Sequence, residues 1–254
     1  MTELPAPAIE TQKLHKNFGA FVVTGDVDFR LEQGARHALI GPNGAGKTTF
    51  VNLVSGALAP SSGRIILQGE DVTALSQARR VKRGLIRTFQ INQLFRRLSV
   101  LENVTIAISE REGFANNFLR PAGRHRAIID EAYALIANLG LGPDALRPIT
   151  ELAYGRQRMV EIAVALGLKP KVLLLDEPAA GVPTGDVGTI IELIEKLPAD
   201  IAVLLIEHDM DLVFRVARRI TVLVEGRTLI EGTPDDIARD PKVREVYLGQ
   251  RPAT

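Results

Sequence analysis

Apolar positions along this chain follow three patterns, and their order predicts the architecture. From Val22 to Leu31, the residues Val27, Phe29 and Leu31 alternate with Asp26, Asp28 and Arg30. Period two with one wet face predicts a half-buried antiparallel strand, and Ile9–Leu14 precedes it as a second strand. Other runs are continuously apolar: Ala38-Leu39-Ile40, Val172 to Leu175 after Lys171, and Ile201 to Ile206. These predict strands buried on both faces, as in a parallel sheet. Arg64–Leu67 and Leu85–Phe89 add shorter strands, the latter ending at Gln90. The third pattern has helical steps: Leu94, Leu98, Leu101, Val104 and Ile108, then Ile128, Ile129, Ala132, Leu135, Ile136 and Leu139. Residues 91 to about 166 are therefore expected to be largely helical, with Gly140-Leu141-Gly142-Pro143 as a stop and 113–126 as a basic, turn-rich surface excursion. Further helices are predicted across Ser76–Lys82, Thr184–Leu197 and Asp211–Ala217 and from Pro234 and Pro241, with two short strands around Glu225-Gly226-Arg227. The expected fold class is α/β: a mixed core sheet, an antiparallel β subdomain and an inserted α-helical subdomain. Residues 1–8 read as a loose tail, 9–90 and 168–254 as the core, 91–167 as the helical subdomain and 232–254 as a C-terminal helical extension.

Against this frame one stretch has chemistry. Gly41-Pro42-Asn43-Gly44-Ala45-Gly46-Lys47-Thr48-Thr49 follows the run at Ile40 and leads into the helical pattern Phe50-Val51-Asn52-Leu53-Val54. Strand, glycine-rich bend and helix are the context that makes G-x-x-x-x-G-K-[ST] a phosphate-binding loop. Glycines let successive N–H groups point inward at the positive end of the following helix. Lys47 would lie between β- and γ-phosphates, Thr48 would hold Mg²⁺, and Thr49 would reach the α-phosphate. The bland alternative is a flexible glycine loop with a solvated lysine.

Other candidates fall at strand ends, where α/β sheets place ligand-contacting groups. Asp176-Glu177-Pro178 closes a buried strand. Adjacent carboxylates there need a shared cation or a raised pKa, so Asp176 on Mg²⁺ and Glu177 polarising a water is the economical reading; an acid pair capping the next helix is the alternative. Glu207-His208-Asp209 ends a second buried strand, and His208 is one of four histidines; it reads as a γ-phosphate sensor or as a structural histidine. Gln90 is a rim ligand or a surface-loop glutamine, and Phe18, beside Gly19, stacks on a purine or belongs to the core. In Leu152-Ala153-Tyr154-Gly155-Arg156-Gln157, ahead of an amphipathic helix, Arg156 sits in a first turn where the helix dipole disfavours a cation. Either it points into water, or an anion comes to this helix start.

Composition narrows the remainder. With 46% hydrophobic and 24% charged residues the 254-residue chain suits a globular protein with a full core, and a formal net charge of +1 gives no general bias toward nucleic acid. Cysteine is absent, which removes disulfides and thiolate chemistry. No window approaches eighteen apolar residues, so any membrane role is expected to come through a partner.

Together, the loop at Gly41–Thr49, Gln90, the Leu152–Gln157 segment, Leu173–Glu177 and His208 resemble, in order and spacing, the ATP-binding subunit of an ABC transporter, a P-loop NTPase. The resemblance implies that ATP and Mg²⁺ are the cofactors, that Phe18 stacks on adenine, and that Gln90 links Mg²⁺ to transmembrane permease subunits. It further implies a head-to-tail dimer with a second ATPase subunit, in which Ala153, Tyr154, Gly155 and Arg156 of one copy close on the γ-phosphate held by the other. Arg87-Thr88-Phe89-Gln90, Leu152-Ala153-Tyr154-Gly155, Glu207-His208-Asp209-Met210 and the ending Glu231-Gly232-Thr233-Pro234 through Tyr247-Leu248-Gly249 look like the branched-chain amino acid import ATPases. Such proteins work at the cytoplasmic face of the membrane with a separate solute-binding protein. Lipopolysaccharide-export ATPases are similar in size but usually carry Ser-Gly-Gly, and non-transport relatives usually have coiled-coil insertions or two cassettes. Three positions depart from the usual pattern: Ala153 replaces Ser, Arg156 replaces Gln, and Pro183 replaces Asp or Asn. Loss of the Ser hydroxyl would weaken closure by roughly 1–3 kcal/mol.

Overall fold

The computed structural model describes residues 6–88, 94–114 and 126–248. Its chain groups into two units, one of Met1–Leu85, Lys171–Glu177 and Pro198–Thr254, the other of Ile86–Pro170 and Pro178–Leu197.

In the first unit β1 (Ile9–Phe18) and β2 (Phe21–Leu31) form an antiparallel hairpin. β3 (Arg36–Ile40) leads to α1 (Lys47–Ser55), followed by β4 (Ser62–Leu67), β5 (Glu70–Asp71) and α2 (Gln77–Val81); β6 (Leu85–Arg87) starts at the last residue of this stretch, and its Ile86 and Arg87 belong to the second unit. β1, β2, β4 and β5 make one antiparallel sheet in the order β2-β1-β4-β5. The other sheet centres on β3. β7 (Val172–Asp176) and β8 (Ala202–Ile206) run parallel beside it, as does β9 (Arg219–Val224) on its other side. β10 (Arg227–Gly232) returns antiparallel to β9 through Glu225 and Gly226, both in the left-handed region at φ 47° and 74°. Two consecutive positive φ values give the hairpin turn whose twist matches its strands. The Gly84 carbonyl accepts from the Lys171 and Val172 amides, which starts β6 at the β7 edge.

The continuous runs are buried as their pattern requires: every residue of β7 and β8 is inaccessible. Phe50, Val51, Leu53 and Val54 of α1 pack into one cluster with Leu14, Phe29 and Leu31 from one sheet and Leu39, Leu174 and Leu204 from the other. Helix α1 is thus gripped between two sheets, and the loop before it has a rigid base.

His37 lies within this core. Its ring packs 4.9 Å from Phe29, and Nε2 is 2.8 Å from Thr221 Oγ1. The Thr221 hydroxyl donates to Glu231 at 3.0 Å, which assigns the imidazole hydrogen to Nε2. Burial lowers the His37 pKa to about 4, against Glu231, which raises it, and with Arg219, which lowers it. The unfolded chain takes up the proton near 6.5. Stability from this site is therefore complete above pH 6.5 and lost as pH falls toward 4, by about 2–3 kcal/mol. Urea midpoints at pH 7.5 and 4.5 should show a steeper loss for the wild type than for His37→Gln; parallel losses would contradict the assignment.

The second unit is helical: α3 (Val100–Arg111), α4 (Arg126–Asn138), α5 (Tyr154–Gly167) and α6 (Thr184–Glu195). α3 packs on α4 and α5, and α5 on α6. Val104, Ile108, Ala132, Ile136, Val160, Ala163, Ile190 and Ile194 of these helices are all buried. The Arg111 guanidinium clasps both oxygens of Glu131 at 2.9 and 2.8 Å and donates to the Gly167 carbonyl, tying three helix segments together.

One expectation is corrected here. Leu94 and Leu98 precede the helix, which begins at Val100. Ser99 Oγ accepts from the Glu102 amide while Glu102 accepts from the Ser99 amide, and the Asn103 side chain bonds the Phe95 amide and carbonyl. A capping box and an internal side-chain bridge stop helix propagation there. The strand expected to reach Phe89 spans Leu85–Arg87; Phe89, Gln90 and most of the 113–126 excursion lie outside the described residues.

Back in the first unit, α7 (Met210–Val216), α8 (Pro234–Arg239) and α9 (Pro241–Leu248) complete the chain.

Candidate active site

The phosphate-loop sequence leaves β3 at Ile40 and enters α1 at Lys47. At Gly41 a Cβ would run into the Leu223 carbonyl, and at Gly46 it would lie 2.6 Å from the Val23 carbonyl. Only glycine fits such close backbone approach. The Gly226 amide donates to the Ala45 carbonyl at 2.9 Å, so the β9–β10 turn supports the loop from behind. Gly46 occupies the N-cap of α1 with no side-chain cap, and no acid stands in the first turn. The helix start therefore presents amides and a lysine, a donor set suited to an anion. Lys47 Nζ bonds the Gly41 carbonyl at 2.6 Å and the Pro42 carbonyl at 3.1 Å. Burial lowers its pKa, opposed by Glu177 and Asp176. Thr48, Asn43 and Gly44 are exposed, and Thr49 and Pro42 are half-buried.

Parallel register brings the other candidates to the same rim. Leu39 of β3 lies opposite Ile206 of β8, and Ile206 lies opposite Asp176 of β7. Ile40, Glu177 and Glu207 thus emerge at one level, because adjacent parallel strands end together on their carboxyl side. Asp176 is buried. Glu177 adopts φ 48°, an uncommon conformation outside glycine, while its amide donates to the Ile206 carbonyl at 2.9 Å. Against the burial that lowers the Lys47 pKa, both carboxylates act electrostatically to raise it. Glu207 is buried and accepts from the His208 and Asp209 amides, shaping the turn that leaves the His208 side chain 66% exposed, open to an incoming group. Asp209 then caps α7.

Phe18 ends β1 opposite Phe21 and is half exposed, with Lys16 Nζ 5.1 Å from its ring centre. It is not a core residue. Gln90 lies outside the described residues.

In the second unit Ala153 is the N-cap of α5 and supplies no side-chain cap, so the amides at this helix start are also open. Gly155 is packed against Val182 and Asp186, and the Tyr154 ring lies over Gly181. Arg156 does meet an anion, but one from its own unit: it is 3.2 Å from Asp144 and donates to the Gly140 carbonyl at 2.9 Å. Asp144 also holds Arg147 at 2.9 Å. That carboxylate offsets the unfavourable placement of a cation in the first turn. Pro183 is the N-cap of α6 and offers no side-chain hydrogen bond.

Sequence reasoning missed Arg80. It lies in the short helix α2, to which the sequence assigned no chemistry, and Arg80 is fully buried. Its guanidinium donates to the Leu53, Val54, Thr73 and Leu75 carbonyls at 2.8, 2.7, 3.0 and 3.1 Å. It caps the C-terminal end of the very helix whose other end carries Lys47. No local pattern marks such a residue, because its partners are 5 to 27 positions away.

Among the described residues no group of three metal-ligating side chains occurs. Mg²⁺ suits such a site when a phosphate ligand completes few protein oxygens, and Thr48 with Asp176 provides oxygens of the right kind.

A parallel sheet whose carboxyl edge gathers a glycine-lysine loop, an Asp-Glu pair and a histidine, on a chain that also carries an uncapped Ala-Tyr-Gly helix start, defines an ATP-binding cassette. The chain belongs to the ABC transporter family, whose model matches residues 24–180. A second model, for the branched-chain amino acid ATP-binding cassette transporter, matches residues 227–253. Over 253 residues the chain is 36% identical to the high-affinity branched-chain amino acid transport ATP-binding protein BraF of Pseudomonas aeruginosa, covering 96% of this chain and 98% of that one. It is 34% identical to the probable branched-chain amino acid transport ATP-binding protein LivG of Archaeoglobus fulgidus, covering 95% of each. Among solved structures it resembles a nucleotide-free ATP-binding cassette from an ABC transporter, with TM-score 0.84, 30% identity and coverage of 96% and 100%. A cassette in its ADP conformation gives TM-score 0.85 at 30% identity, with coverage of 96% and 100%.

Proposed function

We propose that this chain hydrolyses ATP to power import of branched-chain amino acids, or of a related amino acid or carboxylate, through separate permease subunits. The observation that carries this reading is the extent of the likeness: branched-chain amino acid transport ATP-binding proteins match at 34–36% identity along 95–98% of both chains. The place of work is then the cytoplasmic face of the membrane, with a separate binding protein delivering solute. Among the described residues no helix is long and apolar enough to cross a membrane, which suits a subunit docked on permeases.

In this reading Phe18 stacks on adenine and the amides from Gly41 to Thr49 receive the phosphates. Lys47 exchanges its carbonyl partners for β- and γ-phosphate oxygens, a move that replaces two neutral acceptors with charged ones. Thr48, Asp176 and Gln90 would hold Mg²⁺, which when bound neutralises charge on the phosphates. Glu177 accepts a proton from the attacking water, and His208 donates to the γ-phosphate. A second subunit closes the site with the amides around Ala153, Tyr154, Gly155 and Arg156, where the missing side-chain cap leaves N–H groups for an anion.

The test is co-expression of the tagged full chain with candidate permease subunits. Detergent-solubilised chain should retain multi-span membrane proteins, and MgATP hydrolysis by that complex should rise at least about threefold with the solute-loaded binding protein. Retention of no membrane protein would overturn the transport reading.

A further inference from the structure

We infer that Tyr247 is a positioning residue for the nucleotide loop: from the C-terminal helix α9 its phenol braces the main-chain amide of Gly41. This rests on the nucleotide-binding reading above and assigns a role to a residue outside the motifs that carry it.

The placement follows from local chemistry. A capping box between Thr233 and Asp236 starts α8, with Pro234 in its first turn, and α8 packs on β9 and β10. Asp240 then accepts from the Lys242 and Val243 amides at 2.8 and 3.0 Å, which fixes the start of α9. Val243 is buried, and Arg244 reaches back to the Ala238 carbonyl at 3.2 Å. Along this anchored helix Tyr247 arrives with its hydroxyl buried beside the Gly41 amide. The hydroxyl meets no partner in hydrogen-bond geometry among the described residues. Burial raises the phenol pKa to about 12, so it stays neutral at physiological pH and able to accept from an N–H.

A buried hydroxyl without a partner is costly, and a small shift of the loop removes that cost. Gly41 is held on two sides already, its carbonyl by Lys47 Nζ and its Cα by the Leu223 carbonyl, which leaves no room for a side chain. When Lys47 leaves for the phosphates, the carbonyl of Gly41 is released. The Tyr247 hydroxyl is then a lateral support alongside the Leu223 carbonyl, and closing on the Gly41 amide completes its own hydrogen bonding. The hydroxyl accordingly favours the nucleotide-loaded loop over the empty one.

The experiment compares full-length wild type, Tyr247→Phe and Tyr247→Ala by calorimetric titration with MgADP and MgATP, by steady-state hydrolysis and by thermal midpoint without nucleotide. Tyr247→Phe should bind nucleotide about 3- to 10-fold more weakly, raise KM for ATP by the same factor and leave kcat and the nucleotide-free midpoint unchanged. Tyr247→Ala should show the same weakening together with a lowered midpoint. Wild-type affinity in Tyr247→Phe overturns the inference while the nucleotide reading stands. A fall in its nucleotide-free midpoint matching the lost affinity makes the role merely structural and also overturns it. Wild-type protein that binds no nucleotide overturns both.

Discussion

Glu177→Gln should lower MgATP turnover by at least about 100-fold while leaving nucleotide affinity within about threefold of wild type, the usual range for removing a positioned general base. The substitution is isosteric, and the main chain of residue 177 is held in place: its amide bonds the Ile206 carbonyl at 2.9 Å, with a left-handed conformation at φ 48°. Geometry should therefore survive while basicity disappears. In the proposed site the phosphate contacts belong to Lys47 and to the amides of the loop, so affinity should be spared. Removing one of the two carboxylates that face Lys47 shifts binding of an anion, if at all, in the favourable direction. The uncleaved nucleotide should also accumulate a closed dimer, visible as a MgATP-dependent shift in size-exclusion chromatography. Phosphate release at the wild-type rate would remove Glu177 from the mechanism.

Arg80→Met should destabilise the protein by about 3–5 kcal/mol, a fall in melting temperature of roughly 10 °C for a chain of this size. Methionine replaces much of the volume but none of the donors, so carbonyls from Leu53, Val54, Thr73 and Leu75 lose the guanidinium that satisfies them. Burial lowers the Arg80 pKa to about 10, with Asp71 acting in the opposite direction, so the group is charged at neutral pH and complements the negative end of α1. Arg83→Met is the matching control. Arg83 pairs with Glu70 at 2.7 Å on the surface, and its removal should leave the urea midpoint nearly unchanged. Equal effects of the two substitutions would refute the argument. Nucleotide should partly restore Arg80→Met, because a ligand that binds only the folded state stabilises it by mass action.

Much of the fold was legible because the two kinds of strand are written differently. Alternation in Val27, Phe29 and Leu31 marked a sheet with one wet face, and the unbroken runs before Asp176 and Glu207 marked the parallel core. The helix starts were less legible. Leu94 and Leu98 sit at helical spacing from Leu101, but Ser99, Glu102 and Asn103 satisfy the backbone locally and hold the preceding residues in a turn. Periodicity reports which face is buried and is blind to such competition. Arg156 illustrates the same limit: a cation in a first turn predicts an anion nearby, and the sequence does not say that the anion is Asp144, twelve residues before it.

By itself the sequence determined the glycine-lysine loop between a strand and a helix, the buried strands that lead to Asp176 and His208, and the family, since all of these depend on residue type and near spacing. Strand-end positions suggested a common rim, and tertiary structure alone decided the strand order and register that form it. Lys47, Asp176, Glu177 and His208 come together because β3, β8 and β7 are neighbours in register, a relation that ties β3 to segments more than a hundred residues later in the chain. It likewise decided that Arg80 caps α1 and that the Tyr247 hydroxyl is buried beside Gly41. Local pattern encodes how each segment folds, whereas burial beside a distant backbone group depends on how the segments pack.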